Sequence, residues 1–279
     1  MKTSEKVFWA ITTALLVVTL LLGAVFTKGE PMAIDFEAST GDQYIDFGNM
    51  ASLKSLGTMT ICAWIKAESA NPYAHILDIN TNLPSNGLTG DNGGYTLALD
   101  NASGQIRFIA DWSTSSGKTA AWDSNTSITP GNNEFICASY NSGATANDPV
   151  LYLNGASVAI TELIAPSGSL IDSSPTPKTK IGFGYIFDTD TRFDGFIRKV
   201  MVYNRILTAA EILDMYNSRG ASYPRNGLVF CPILYGAKGM SSFDGALAAA
   251  NTIYDPYSNT YGVPNGSPVA VPETYLNIR

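Results

Sequence analysis

The sequence is poor in charge, in histidine and in cysteine, and each shortage removes a class of function. Charged side chains make up 15% of the 279 residues, against roughly 25% in an ordinary soluble domain. The formal charge is -7. Neutralising phosphates needs clustered Lys and Arg, so nucleic acid is excluded as a partner. One histidine, His75, excludes a histidine-built metal enzyme. Its setting in NPYAHILDI reads as an edge or surface position. Three Cys in so long a chain exclude a disulfide framework. No Gly-x-Ser-x-Gly is present, so the nucleophile elbow of serine hydrolases is missing. Disorder is excluded in turn, because 11% aromatic residues suffice to build a core.

One long apolar run is present. Val7 to Phe26, VFWAITTALLVVTLLLGAVF, holds 20 residues without a charge between Lys6 and Lys28. As a helix it spans about 30 Å, the hydrocarbon thickness of a bilayer. The expectation is a retained transmembrane helix, with Val7, Trp9, Leu15, Leu20 and Phe26 in lipid. Lys2 and Lys6 then place residues 1–6 in the cytoplasm and the remainder on the periplasmic or extracellular side. A cleaved signal peptide has a shorter run, of about 7–15 residues, and a small-x-small site. Leu22-Gly23-Ala24 meets that only in part.

From Glu30 the pattern changes to short β-branched and aromatic segments between Gly, Asn, Asp and Ser clusters. Met59–Lys66, Gly94–Leu99, Gln105–Ala110, Glu134–Tyr140, Val150–Leu153, Thr179–Phe183 and Phe196–Tyr203 read as strands. Asn154-Gly155 reads as a hairpin turn. Together they predict an all-β sandwich. One helix is predicted at Thr208–Asn217, with Thr208 and Glu211 as a capping box and Gly220 as the stop. Residues 221–279 hold six Pro and six Tyr with few strand-like runs, and read as an extension packed on the sandwich or on a partner.

Four stretches in order resemble the laminin-G-like, pentraxin-like branch of the concanavalin A-like jelly rolls. They are Ala33–Asn49 (AIDFEASTGDQYIDFGN), Met59–Lys66 with Trp64, Leu151–Gly155 (LYLNG), and Ile181–Asn217 with FDGFIRKVMVYNRILTAAEILDMYN. The resemblance covers about residues 30–220 and implies a two-sheet jelly roll with one short helix. The domain reading is then 1–6 cytoplasmic, 7–26 transmembrane, 30–220 sandwich and 221–279 extension.

The resemblance also frames the chemistry. Related glycoside hydrolases use Glu-x-Asp-x-x-Glu on one strand, so that alternate side chains face one groove. None of the eight Glu opens that pattern, which argues for a protein that is not an enzyme. Many relatives hold a calcium ion through carboxylate and backbone oxygens. Asp188, Asp190 and Asp194 are the calcium candidates here, although the closing strand carries Arg198 and Lys199 where the branch often has an acid pair. No other cofactor is implied. The basic pair is a candidate docking surface for an acidic partner or lipid headgroups. Tyr73, Trp112, Trp122 and Asn125 are candidate glycan contacts. Cys62 and Cys137 fall on two predicted strands as buried thiols or a disulfide, and Cys231 is left over beside Pro232.

Two functions follow. The first is a membrane-anchored scaffolding subunit of a larger membrane complex, respiratory or photosynthetic for example, whose partners are the bilayer and other subunits. The alternative is a membrane-tethered lectin-like module whose partner is a glycan.

Overall fold

Period-two alternation fails in Thr58–Ala67, where nearly every side chain is buried. A strand buried on both faces belongs in the middle of a sheet that is covered on both sides. The computed structural model describes residues 32–69, 73–80, 94–100, 103–112, 119–170, 178–184, 191–232, 245–246, 253–266 and 268–272. In chain order the strands are β1 (Met32–Phe36), β2 (Tyr44–Asn49), β3 (Thr58–Ala67), β4 (His75–Asn80), β5 (Tyr95–Leu99), β6 (Gln105–Ala110), β7 (Ala120–Ser127), β8 (Glu134–Asn141) and β9 (Val150–Leu153). They continue as β10 (Ala156–Val158), β11 (Ile160–Ile164), β12 (Lys178–Ile181) and β13 (Gly195–Tyr203). After helix α1 (Ala209–Asn217) come β14 (Leu228–Phe230), β15 (Gly245–Ala246), β16 (Ile253–Asp255), β17 (Thr260–Asn265) and β18 (Val269–Pro272).

The first sheet runs β10-β9-β8-β3-β13-β1-β18-β15, with β14 also on β13. The second runs β11-β7-β6-β5-β4-β12-β2-β17-β16. Their inner faces enclose one core that includes Phe36, Ile45, Met50, Phe108, Trp122, Tyr140 and Phe230. All-β architecture with one short helix is therefore as expected. The extension holds more strand than its few strand-like runs suggest: it supplies β14 to β18, which pair into both sheets. The segment Val7–Phe26 lies outside the described residues, and no described helix is long and apolar enough to cross a membrane.

Helix α1 closes the outer face of the first sheet. Thr208 Oγ1 accepts from Glu211 N at 3.2 Å, and Thr208 N donates to Glu211 Oε2 at 2.9 Å, so the capping box forms. Arg205 pairs with Glu211 at 2.6 Å and holds its carboxyl down at about 2. Ile212 and Met215 pack on Cys62, Trp64, Phe135, Cys137 and Met201. Cys62 and Cys137 are register partners on β3 and β8 and form a disulfide. Cys231 is a buried thiol.

The basic pair is corrected here. Arg198 is 4% exposed, stacks 4.9 Å from the Trp64 ring and donates to Arg219 O at 3.3 Å. Lys199 sits in a bulge of β13 and donates to Gly220 O. Both cations meet carbonyls just past the helix C-terminus, where positive charge is favoured. They fasten the helix to the sheet within the chain and do not form an outward docking patch.

Gly195 opens β13 with φ +121°, and a Cβ there would lie 2.2 Å from Lys66 O. Gly131 also has positive φ, +84°, but open space around it. Gly131→Ala should cost on the order of 1–2 kcal/mol, the ordinary left-handed penalty. Gly195→Ala should cost clearly more, because backbone must move as well. Urea midpoints of the two variants check this, and equal losses would show that the close approach of β13 to β3 is not needed.

Candidate functional site

Three strand ends meet beside Gly195. Glu37 follows β1, Glu68 follows β3, and Asp194 precedes β13, with Glu68 N donating to Asp194 O at 2.9 Å. Asp35 points outward from β1, between the inward-facing Ile34 and Phe36. Carboxylate oxygens of Asp35, Glu37 and Glu68 lie within 4.8 Å of one another. Asp194 stands alongside, accepting from Ala38 N at 3.3 Å and from Ser69 Oγ. Burial, then Glu68, Glu37 and Asp194, push the Asp35 carboxyl up to about 6, and one of its oxygens is buried without a hydrogen-bond partner. Glu68 is raised as well, by burial first and by Glu37 and Asp194. Clustered hard oxygens that repel one another are the donor set a calcium ion takes. Of the sequence candidates, Asp194 lies beside this cluster with both oxygens accepting hydrogen bonds, while Asp188 and Asp190 lie outside the described residues.

The outer face of the second sheet is the other concentration of polar groups. Register places Asp46, Lys180, Asp78 and Thr96 in one row across β2, β12, β4 and β5. Thr96 Oγ1 donates to Asp78 at 2.8 Å. Burial raises the Asp78 carboxyl, opposed by His75, Thr96 and Lys180. Asp111 is pushed well above the ordinary carboxylate value by burial and then by Asp78. The Lys180 ammonium lies 4.6 Å from the Tyr44 ring and 5.4 Å from Phe183, two rings stacked at 5.3 Å. Farther across, Arg107 pairs with Asp123 and Asp100, each at 2.7 Å.

His75 corrects its surface reading. It is 1% exposed, its Nδ1–H donates to Tyr73 O at 2.6 Å, and its Nε2 is buried without a partner. Gly184 packs so closely that a Cβ would lie 2.2 Å from the ring. Burial lowers its pKa and keeps the ring neutral.

The sequence-predicted glycan contacts are not brought together. Trp122 and Trp112 are core residues, at 0% and 3% exposure. Trp122 donates to Asp148 at 2.9 Å and Trp112 to Tyr140 at 3.1 Å, so neither offers a ring to a ligand. Tyr73 is half-buried with Arg107 5.1 Å from its ring. Asn125 is exposed and accepts from Thr161 at 2.8 Å on the neighbouring edge strand. Only these last two keep solvent access. The carboxylate cluster was missed because its members stand far apart in sequence. The spacing Asp35-x-Glu37 was the available signal.

Comparison with known proteins gives one family. A laminin-G-type model, described as the concanavalin A-like lectin/glucanases superfamily, matches residues 39–213. The native heptameric SAP-like pentraxin from Limulus polyphemus is similar in structure, with TM-score 0.55 and 15% identity over 89% of this chain and 98% of that one. A putative carbohydrate binding protein from Bacteroides ovatus has TM-score 0.57 and 14% identity over 87% of this chain and 60% of that one. At such identities the likeness is one of fold. No curated protein matches.

The strained cluster makes a pH signature. The folded state holds the Asp35 proton more tightly than the unfolded chain, whose value is 3.8. Ionisation therefore costs stability above about pH 6, and the cost vanishes as pH falls towards 4. In chelator, Asp35→Asn should melt above the parent chain at pH 8 and together with it at pH 4. A gap that does not change with pH would show that the four carboxylates do not repel.

Proposed function

The chain belongs to the concanavalin A-like lectin/glucanases superfamily, and we propose that it uses this fold to bind carbohydrate at a membrane surface without catalysing a reaction. The observation that carries this reading is the difference between the two outer faces. Helix α1 covers the first sheet. On the second sheet's outer face Asp78, Thr96 and Lys180 are buried, while the stacked Tyr44 and Phe183 rings beside them are only half-buried. Concave or flat faces that combine rings with placed polar groups are where sugars and other small ligands are held. The fold shared with a putative carbohydrate binding protein supports the same reading. The enclosed, paired state of Asp78 and the lack of a Glu-x-Asp-x-x-Glu strand support binding over hydrolysis.

Val7–Phe26 is the tether in this proposal. Five residues separate Phe26 from Met32, where β1 begins, so the sandwich is held close to the bilayer. A disulfide between Cys62 and Cys137 suits the oxidising, extracytoplasmic side. In this proposal calcium is held by Asp35, Glu37 and Glu68, with Asp194 beside them, where it relieves repulsion between three strand ends. That is a structural role, since the cluster is on the first sheet and away from the second sheet's outer face.

The full chain in mild detergent should be retained on an immobilised glycan array and run alone on a native gel. A stable multi-subunit band with no glycan retention would overturn this in favour of a scaffolding subunit. Calcium should raise the melting temperature on the order of 5 °C, and chelator should remove that rise while leaving glycan retention. Glu68→Gln should abolish the calcium response. An equal calcium shift in that variant would move the ion elsewhere.

A further inference from the structure

The hairpin of β16 and β17 lies outside the residues that match the family and adds the last two strands to the second sheet. Val263 pairs with Asp46, and Asn265 with Tyr44. Directly paired residues share a face, and along a strand every second residue does. Tyr261, Val263 and Asn265 therefore lie on the outer face, continuous with Tyr44 and Phe183. Tyr254 pairs with Tyr261 and joins them. The two rings sit 4.9 Å apart at 40°, with Tyr261 58% and Val263 43% exposed.

The strip is held rigidly from its other side. Gly262 faces inward, where a Cβ would lie 2.5 Å from Ile45 Cγ2 and 2.6 Å from Phe47 Cζ, so the hairpin presses directly on β2. Asp255 is fully buried and accepts from Cys231 N at 2.8 Å and Ser258 N at 2.9 Å, tying the turn to the end of β14. Tyr254 donates to Asn259 at 3.0 Å, which fixes its ring. Rigid tyrosines give large amphipathic contact area at little entropic cost.

The exposed members of the strip are Asn259, Tyr261, Val263 and Asn265, and none of them is an Asp, Glu, Lys, Arg or His. Charged residues beside it are engaged: Lys180 is 3% exposed with its ammonium against Tyr44 and Phe183, Asp46 accepts from Gly48 N at 2.7 Å, and Asp42, next to Gly266, pairs with Arg192 at 2.9 Å. From Tyr261 to Asn265 the strand runs about 13 Å.

We propose that the Tyr254–Tyr261 hairpin is the sugar-binding site, and that its ligand is an uncharged oligosaccharide stacked along β17 towards Tyr44 and Phe183. This rests on the carbohydrate-binding reading and gives that reading a place and a ligand class. Rings stack on the C–H faces of pyranoses, the Asn259 and Asn265 amides meet hydroxyls, and charge plays no part. A protein partner, or a second copy of this chain, would be the other occupant of such a strip.

Affinity electrophoresis of the full chain in detergent tests it, with mixed-linkage glucan and galactomannan as neutral probes and dextran sulfate and polygalacturonate as charged ones. At least one neutral polysaccharide should retard the parent chain, equally at low and high salt. Tyr261→Ala should weaken that retardation at least tenfold with an unchanged melting temperature, and Tyr261→Phe should keep it. If the parent is retarded and Tyr261→Ala is retarded equally, the site is overturned while the carbohydrate reading stands. Retardation only by the charged polysaccharides, lost at high salt, would overturn the ligand class. No retardation of the parent overturns both readings, as would a dimer that Tyr261→Ala dissociates.

Discussion

The pairing of β3 with β13 is the constraint from which the remaining architecture follows. Ile65 opposite Ile197 and Cys62 opposite Met201 put the apolar side chains of both strands alternately into the core and beneath the helix. A strand pair that is buried on both faces needs covers on both. The second sheet supplies one and α1 the other. Gly195 lets the pair close at its end, where Glu68 and Asp194 are drawn together, and the carboxylate cluster results from that closure. At the middle of β13, a bulge turns Lys199 towards the carbonyl of Gly220 past the helix end. The same strand thus fixes the helix and gathers the acids.

Low charge acquires a physical meaning in this arrangement. Among the described residues, three cations sit where the fold needs them: Arg198 on Trp64, Arg107 between Asp123 and Asp100, and Arg205 on Glu211. Buried ions without such partners would be costly. The carboxylates of Asp35, Glu37, Glu68 and Asp194 depart from the pattern, with Lys66 as the cation that offsets their effect on Asp35. Repulsion there is a cost without benefit unless a cation completes the group.

Much of the framework was legible in the sequence. Gln105–Ala110 and Val150–Leu153 coincide with β6 and β9, because their apolar content and flanking turn residues leave no competing helical period. The capping box at Thr208 and Glu211 was readable because it is local. The turn at Asn154-Gly155 took positive φ at both residues for the same reason. What depends on distant contacts was not legible. Trp112 and Trp122 read as candidate glycan contacts, yet both face the core, since aromatic exposure is set by which sheet face a strand presents. β17 carries Gly262 and Pro264, two ordinary strand breakers, and both turn inward near the edge of the sheet, where they are tolerated. The strip bearing Tyr261 was hidden by that local signal.

Amide hydrogen exchange of the full chain, with and without a saturating neutral polysaccharide, tests the central claim most directly. The account expects new protection confined to residues 254–265 and to Tyr44–Asp46, with the helix and the carboxylate cluster unchanged. Protection that appears instead over α1 and the Arg198–Lys199 bulge, or none anywhere, would contradict it.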